Sequence, residues 1–184
     1  MAQVYVFLAE GFEEIEALTP VDMLRRAGVE TQMVSITEER KVTGSHGIAV
    51  EADLVLTEAD FENTQVLVLP GGLPGTTNLG NCEKLVAELK RYAADPERKV
   101  AAICAAPSVL GLNGILEGKD AICYPGWEEK LIGARVQTGA KAVVDGNVIT
   151  SRGMGTAMEL SLALIRELKD QETAEKLAAA VQHD

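Results

Sequence analysis

Two short aliphatic runs constrain this chain more than any other feature. Gln65 to Leu69 (QVLVL) and Val100 to Ile103 (VAAI) show no alternation of apolar and polar residues, and each runs straight into a turn, Pro70-Gly71-Gly72 after the first and Cys104 after the second. A strand with one face in water alternates with a period of two, whereas a strand covered on both faces has no polar positions. Such strands belong inside a parallel sheet. Parallel neighbours need long crossovers, usually helices, and the sequence between the runs has room for them.

The rest of the chain follows the same alternation. Val4 to Ala9 reads as a strand, and Glu13 to Ala27 as a helix carrying Ile15, Leu18, Val21, Met23 and Leu24 at roughly helical spacing, with Gly28 placed as a C-cap glycine. Val29 to Ile36 is a second strand. Lys41 to Val55, with Gly44 and Gly47 among β-prone residues, is expected to form a hairpin. Helices are predicted over Asn81 to Ala94, Ala105 to Asn113 (with Pro107 in the first turn), Thr156 to Leu168 and Thr173 to Val181. Ala142 to Val144 and Asn147 to Thr150 flank Asp145-Gly146, a two-residue hairpin signal. With 184 residues and no linker, repeat or low-complexity tract, the expectation is one α/β domain over residues 1–184, a mostly parallel sheet with helices on both faces.

Composition narrows the partners. Seventeen basic against 28 acidic residues leave a net charge of -11, which disfavours nucleic acid and anionic membrane surfaces. The first ten residues lack a basic stretch and a long apolar run, so a cytoplasmic location is expected. Three cysteines (Cys82, Cys104, Cys123) and two histidines stand at no metal-like spacing, which argues against a disulfide scaffold and a metal site.

Cys104 is the most informative position. Open α/β sheets bind ligands at the carboxyl ends of parallel strands, and a helix starting there directs free amides at whatever occupies the turn. Small neighbours (Ala102, Ala105, Ala106) leave room for a sharp turn, and a thiol so placed is expected to have a lowered pKa and to oxidise before Cys82 or Cys123. A buried cysteine acting as a small hydrophobe explains the residue equally well. Cys82, in a predicted helix, and Cys123, in an expected strand, read as structural. Gly71-Gly72 would let backbone amides face an oxyanion, or they form an ordinary turn; no Lys-Ser/Thr follows, so this is not a phosphate loop. Glu13 and Glu14 suit the positive end of a helix dipole, while Glu16 points to another side and can enter the cleft of Cys104. A carboxylate beside a thiolate repels it, so one of such a pair must hold or share a proton. His46 is either an exposed turn histidine or a pocket residue. Arg152 precedes a helix capped at Gly155 or Thr156, where an anion could dock or a plain cap suffices.

The segments Leu8 to Glu16 (LAEGFEEIE), Pro20-Val21-Asp22, Arg25 to Gly28 (RRAG), Val66 to Gly72 (VLVLPGG), Ala101 to Pro107 (AAICAAP) and Thr150 to Thr156 (TSRGMGT) resemble the ThiJ/PfpI superfamily, in the branch that includes the parkinsonism-associated deglycase and its bacterial relatives. The match runs from Val4 to Lys169 in consistent order. The resemblance implies a flavodoxin-like α/β sandwich that forms homodimers, with Cys104 as an oxidisable nucleophile and Glu16 as the glutamate that hydrogen-bonds its sulfur. Gly71, Gly72 and Ala105 match the loops whose amides form the family's anion pocket, and no cofactor is implied. Three positions depart from the family. Ala105 stands where the protease-like branch has histidine, which disfavours peptidase activity. Tyr124, before Pro125, stands where the deglycase branch often has histidine, and His46 replaces a pocket arginine. The expected activity is conversion of a small aldehyde or dicarbonyl such as methylglyoxal, with Cys104 adding to the aldehyde and Glu16 moving protons; the alternative is a redox-responsive stress or chaperone-like protein that is not an enzyme.

Overall fold

The two aliphatic runs become neighbouring strands at the centre of a seven-stranded sheet. In this computed structural model, which describes residues 3–183, the chain runs β1 (Val4–Leu8), α1 (Glu14–Arg26), β2 (Thr31–Ser35), β3 (Lys41–Thr43), β4 (Ala49–Glu51), β5 (Leu54–Val55), β6 (Val66–Leu69), α2 (Gly75–Asn81), α3 (Glu83–Ala93), β7 (Lys99–Ile103), α4 (Pro107–Leu112), β8 (Asp120–Ala121), β9 (Arg135–Val136), β10 (Ala142–Asp145), β11 (Val148–Ser151), α5 (Ala157–Leu168) and α6 (Gln171–Ala180). Of the domain expected over residues 1–184, Met1, Ala2 and Asp184 lie outside the described residues.

The main sheet is ordered β10-β11-β7-β6-β1-β2-β5, and all its neighbours are parallel except β10, which pairs antiparallel with β11. The absence of alternation in QVLVL now has its reason. Val66 and Val68 enter one core with Leu24 of α1 and Leu160 and Leu164 of α5, while Leu67 and Leu69 enter the other with Leu79 of α2, Leu85, Leu89 and Tyr92 of α3, and Leu110 of α4. Both faces are dry, so neither has a place for a polar side chain. The helix after β1 ends as its glycine predicts. Gly28 sits at φ 69°, its amide reaches the Arg25 carbonyl, and the Val29 amide reaches back to Leu24, which is the paired closure of a Schellman motif.

Several expectations are corrected. The helix predicted over residues 81–94 is α3, which starts at Glu83 because Cys82, with a ψ of 92°, is extended. The helix ahead of it, α2, is not predicted: its sequence GTTNLGN is poor in helix formers, and it owes its place to burial of Gly75, Thr76 and Leu79. Cys123 lies in irregular chain past β8, which pairs with β9 in a separate two-stranded sheet. The last helix starts two residues earlier than predicted because the Asp170 carboxylate accepts the Thr173 amide at 2.7 Å. No helix of the described residues is long and apolar enough to cross a membrane.

The Asp145-Gly146 hairpin does more than reverse the chain. Asn147, its next residue, is nine-tenths buried, and its side-chain amide donates to the carbonyls of Tyr92, Ala93 and Asp95 at 3.1–3.2 Å, closing the C-terminal end of α3 against the sheet. Asn147→Ala is expected to lower the unfolding free energy by about 1–3 kcal/mol, read from the urea midpoint. An unchanged midpoint would show that water satisfies those carbonyls just as well.

Candidate active site

Three β-to-α connections converge at the carboxyl edge of the parallel strands. They are the turn after β1 that opens α1, the Pro70-Gly71-Gly72 loop after β6, and the Cys104 turn after β7. Cys104 takes φ 64°, a left-handed conformation that non-glycine residues rarely adopt. The strain is held by the main chain on both sides, since the Cys104 amide donates to the Ser151 carbonyl at 3.0 Å and its carbonyl accepts the Tyr124 amide at 2.8 Å. The thiol is thereby lifted off the strand end toward α1.

Glu16 meets it there. Glu16 is 1% exposed; Oε2 accepts the Gly71 amide at 2.9 Å, and Oε1 is buried. A Cβ on residue 71 would stand 2.6 Å from Glu16 Oε2 and 2.7 Å from the Cys104 Cβ, so only glycine lets loop, carboxyl and thiol meet. Gly72, at φ 89°, supplies the turn itself. The anion-pocket expectation for the loop is thus divided: the Gly71 amide is used by Glu16, while the amides of Gly72 and Ala105 act on the Cys104 sulfur.

Burial pushes the Glu16 carboxyl up to about 7, and the charge of Glu13 adds to the rise, against the opposing pull of the thiol and of the Gly71 and Met154 amides. Burial likewise pushes the Cys104 thiol up to about 12, reinforced by the Glu16 charge and hydrogen bond, with the Ala105 and Gly72 amides acting the other way. The lowered thiol pKa expected from the following helix is therefore corrected. That helix begins only at Pro107 and is six residues long, and a buried carboxylate faces the sulfur. The two groups titrate as one unit: after the first proton is lost, a thiolate exists in the fraction of molecules whose remaining proton sits on Glu16.

Glu14, two residues earlier, goes the opposite way. Burial raises it too, but the His46 ring and the amides of His46 and Ile48 outweigh that and hold it at about 2. His46 Nδ1 lies 2.9 Å from Glu14 Oε2 and 3.5 Å from Glu13, and its own pKa is raised by this pairing. His46 thus fastens the β3–β4 hairpin over the start of α1, its side chain 66% exposed, and its contacts are with Ser45, Glu13 and Glu14 rather than Cys104. Glu13, Glu14 and His46 are the one grouping of three possible metal ligands among the described residues; their donor atoms are engaged in this hydrogen-bonded pairing. Tyr124 is at the rim, half exposed, its ring against Gly153, where an added Cβ would approach within 3.2 Å. Arg152 is exposed, and Thr156, the N-cap residue of α5, turns its hydroxyl back to Ser151 and Gly153 instead of capping the helix.

The profile of the DJ-1/PfpI family matches residues 2–167. The chain is 39% identical to Protein DJ-1 homolog B of Arabidopsis thaliana over 173 residues, covering 94% of this chain but spanning only 39% of that relative. It is 35% identical over 152 residues to Deglycase PH1704 of Pyrococcus horikoshii, covering 82% of this chain and 89% of the relative. The crystal structure of Drosophila melanogaster DJ-1beta superposes with a TM-score of 0.94 at 33% identity, over the full length of both chains.

The raised carboxyl has a measurable cost. Glu16 moves from an ordinary 4.5 to about 7, so its contribution to stability is complete below pH 4.5 and is lost as pH rises through 7, a change of about 3 kcal/mol. Glu16→Gln keeps the shape and removes the titration, and should gain in melting temperature over wild type between pH 5 and pH 8. A difference between the two proteins that stays constant over this range would mean that Glu16 does not titrate there.

Proposed function

The chain belongs to the DJ-1/PfpI family, and on that premise we propose that it is a deglycase-like enzyme that converts small reactive dicarbonyls such as methylglyoxal to 2-hydroxy acids without glutathione. The observation that carries this reading is the buried Glu16 carboxyl beside the Cys104 thiol, with a pKa near 7. A general acid and base serves best when its pKa is close to working pH.

The steps balance within these two residues and water. The Cys104 thiolate forms a bond to the aldehyde carbon, and Glu16 gives its proton to the resulting oxyanion, which the Gly72 and Ala105 amides stabilise. Glu16, now a carboxylate, takes the hydrogen of that carbon as a proton, the hydroxyl proton passes from the first oxygen to that of the neighbouring carbonyl, and Glu16 returns its proton to the neighbouring carbon, so the aldehyde carbon is oxidised and its neighbour reduced within one molecule. The product is a thioester of the hydroxy acid. Water cleaves it, releasing the acid and restoring the thiolate. No outside oxidant, reductant or cofactor enters the balance.

Lactate formation from methylglyoxal by purified protein tests this. Turnover should vanish in Cys104→Ser and fall by about 10²–10⁴-fold in Glu16→Gln, and the wild-type rate should rise with pH through about 7 as the pair loses its first proton. Consumption that stops near one equivalent, or that survives in Cys104→Ser, would mean trapping by side chains and not catalysis.

We also infer a homodimer. A groove lined by Ile15, Leu18 and Met23 of α1, Ile48, Met158 and Val181 is largely apolar, with Ile15 49% and Ile48 56% exposed, the kind of face a second copy covers. Sedimentation at micromolar concentration should give a species of twice 19.6 kDa, reduced to the monomer by Ile15→Glu with Ile48→Glu. A wild-type species of monomer mass alone refutes it.

A further inference from the structure

Thr156 occupies the N-cap position of α5 and does not cap it. A threonine there ordinarily accepts an amide from the first turn of its helix, yet this hydroxyl faces backward. Its Oγ1 accepts the Gly153 amide at 3.1 Å, lies 2.9 Å from the Gly153 carbonyl and stands 2.8 Å from the Ser151 hydroxyl. Ser151, fully buried, also reaches the Lys141 carbonyl at 2.8 Å. Two hydroxyls thus draw residues 151–156 into a closed loop. Its shape has to be fixed in this way, because Met154 stands between Gly153 and Gly155, and glycines restrain the main chain less than other residues do.

This loop meets the reactive pair at two points. The Ser151 carbonyl accepts the Cys104 amide at 3.0 Å, and the Met154 amide acts on the Glu16 carboxyl. We propose that Thr156 is a positioning residue: its hydroxyl holds the Met154 amide against Glu16, and so sets whether the proton shared by carboxyl and thiol resides on one or the other. The proposal rests on the reading of Cys104 and Glu16 as the reacting pair, and not on which carbonyl compound they act upon. A donor at Glu16 favours the carboxylate, which leaves the remaining proton on sulfur. Without that donor the pair loses its first proton at a higher pH, and a larger share of the molecules that have lost it carry a thiolate. Well below the midpoint the carboxyl is protonated in either case, and the thiolate level is the same. The other titratable groups acting on this pair are each other and Glu13, none of which is altered by a substitution at 154 or 156.

Alkylation of Cys104 by iodoacetamide, followed by mass at that residue from pH 5 to pH 9, reads the thiolate and needs no turnover. Met154→Pro deletes the amide itself. Proline suits the position, since Gly153 ahead of it is extended (φ 167°, ψ -173°) and residue 154 opens a short helical turn. Its curve should coincide with wild type at low pH, reach its midpoint about one unit higher and level off about tenfold faster. Thr156→Val should shift the midpoint the same way by at least about half a unit, Thr156→Ser should follow wild type, and the combined Met154→Pro and Thr156→Val should shift no further than Met154→Pro alone. A wild-type midpoint near 7 that neither Met154→Pro nor Thr156→Val moves overturns the proposal, as do curves lowered by one factor at every pH, the mark of a merely structural role. A wild-type curve with no midpoint near 7 overturns the shared proton and the proposal with it. The stated shifts in a protein that forms no lactate would uphold the positioning role and remove only the dicarbonyl chemistry.

Discussion

Gly71 is where the α1, β6 and β7 connections touch, and it works by what it lacks. Its amide donates to Glu16 and its carbonyl accepts the Glu13 amide at 2.9 Å, so both main-chain groups of one residue hold the first turn of α1. With no side chain it lets the Cys104 Cβ and the Glu16 carboxyl approach closer than any other residue would permit. From that contact follow the water-free carboxyl, its displaced titration and the shared proton. The sheet and its two cores serve to bring three connections to this one point.

Two glutamates in a single helical turn show how far surroundings outweigh residue type. Burial raises both Glu14 and Glu16. Glu14 has a histidine ring and backbone amides from the hairpin, and remains ionised well below neutral pH. Glu16 faces a thiol and accepts the Gly71 amide, but burial outweighs both, and it retains its proton to near neutrality. One carboxyl has become a fastening, and the other is left poised to exchange a proton at the expense of stability, a trade common where a site must react.

The sheet was legible because its signals are local. Uninterrupted aliphatic runs, a glycine past a helix end and an Asp-Gly hairpin each carry their meaning within a few residues. The meeting of Glu16 and Cys104 was legible as a direction, since helix geometry turns Glu16 away from Glu13 and Glu14. What stayed hidden depends on approach between distant segments. Nothing in GTTNLGN announces a helix, because burial of Leu79 and Thr76 makes it one. Nothing around Gly71 says that its amide serves a carboxyl 55 positions away. The direction of the Cys104 shift was misread for the same reason: the turn was visible in the sequence, but the depth of burial around the sulfur was not.

The Cys104 elbow is fastened through its own amide and carbonyl, to Ser151 on β11 and to Tyr124 beyond β8. None of those bonds involves the side chain. The scaffold therefore presents whatever group is attached at position 104 at the same height above the sheet, much as a socket accepts different tools. Chemistry at this point can be exchanged by altering one side chain and its immediate neighbours, while the socket persists in the hydrogen bonding of the backbone.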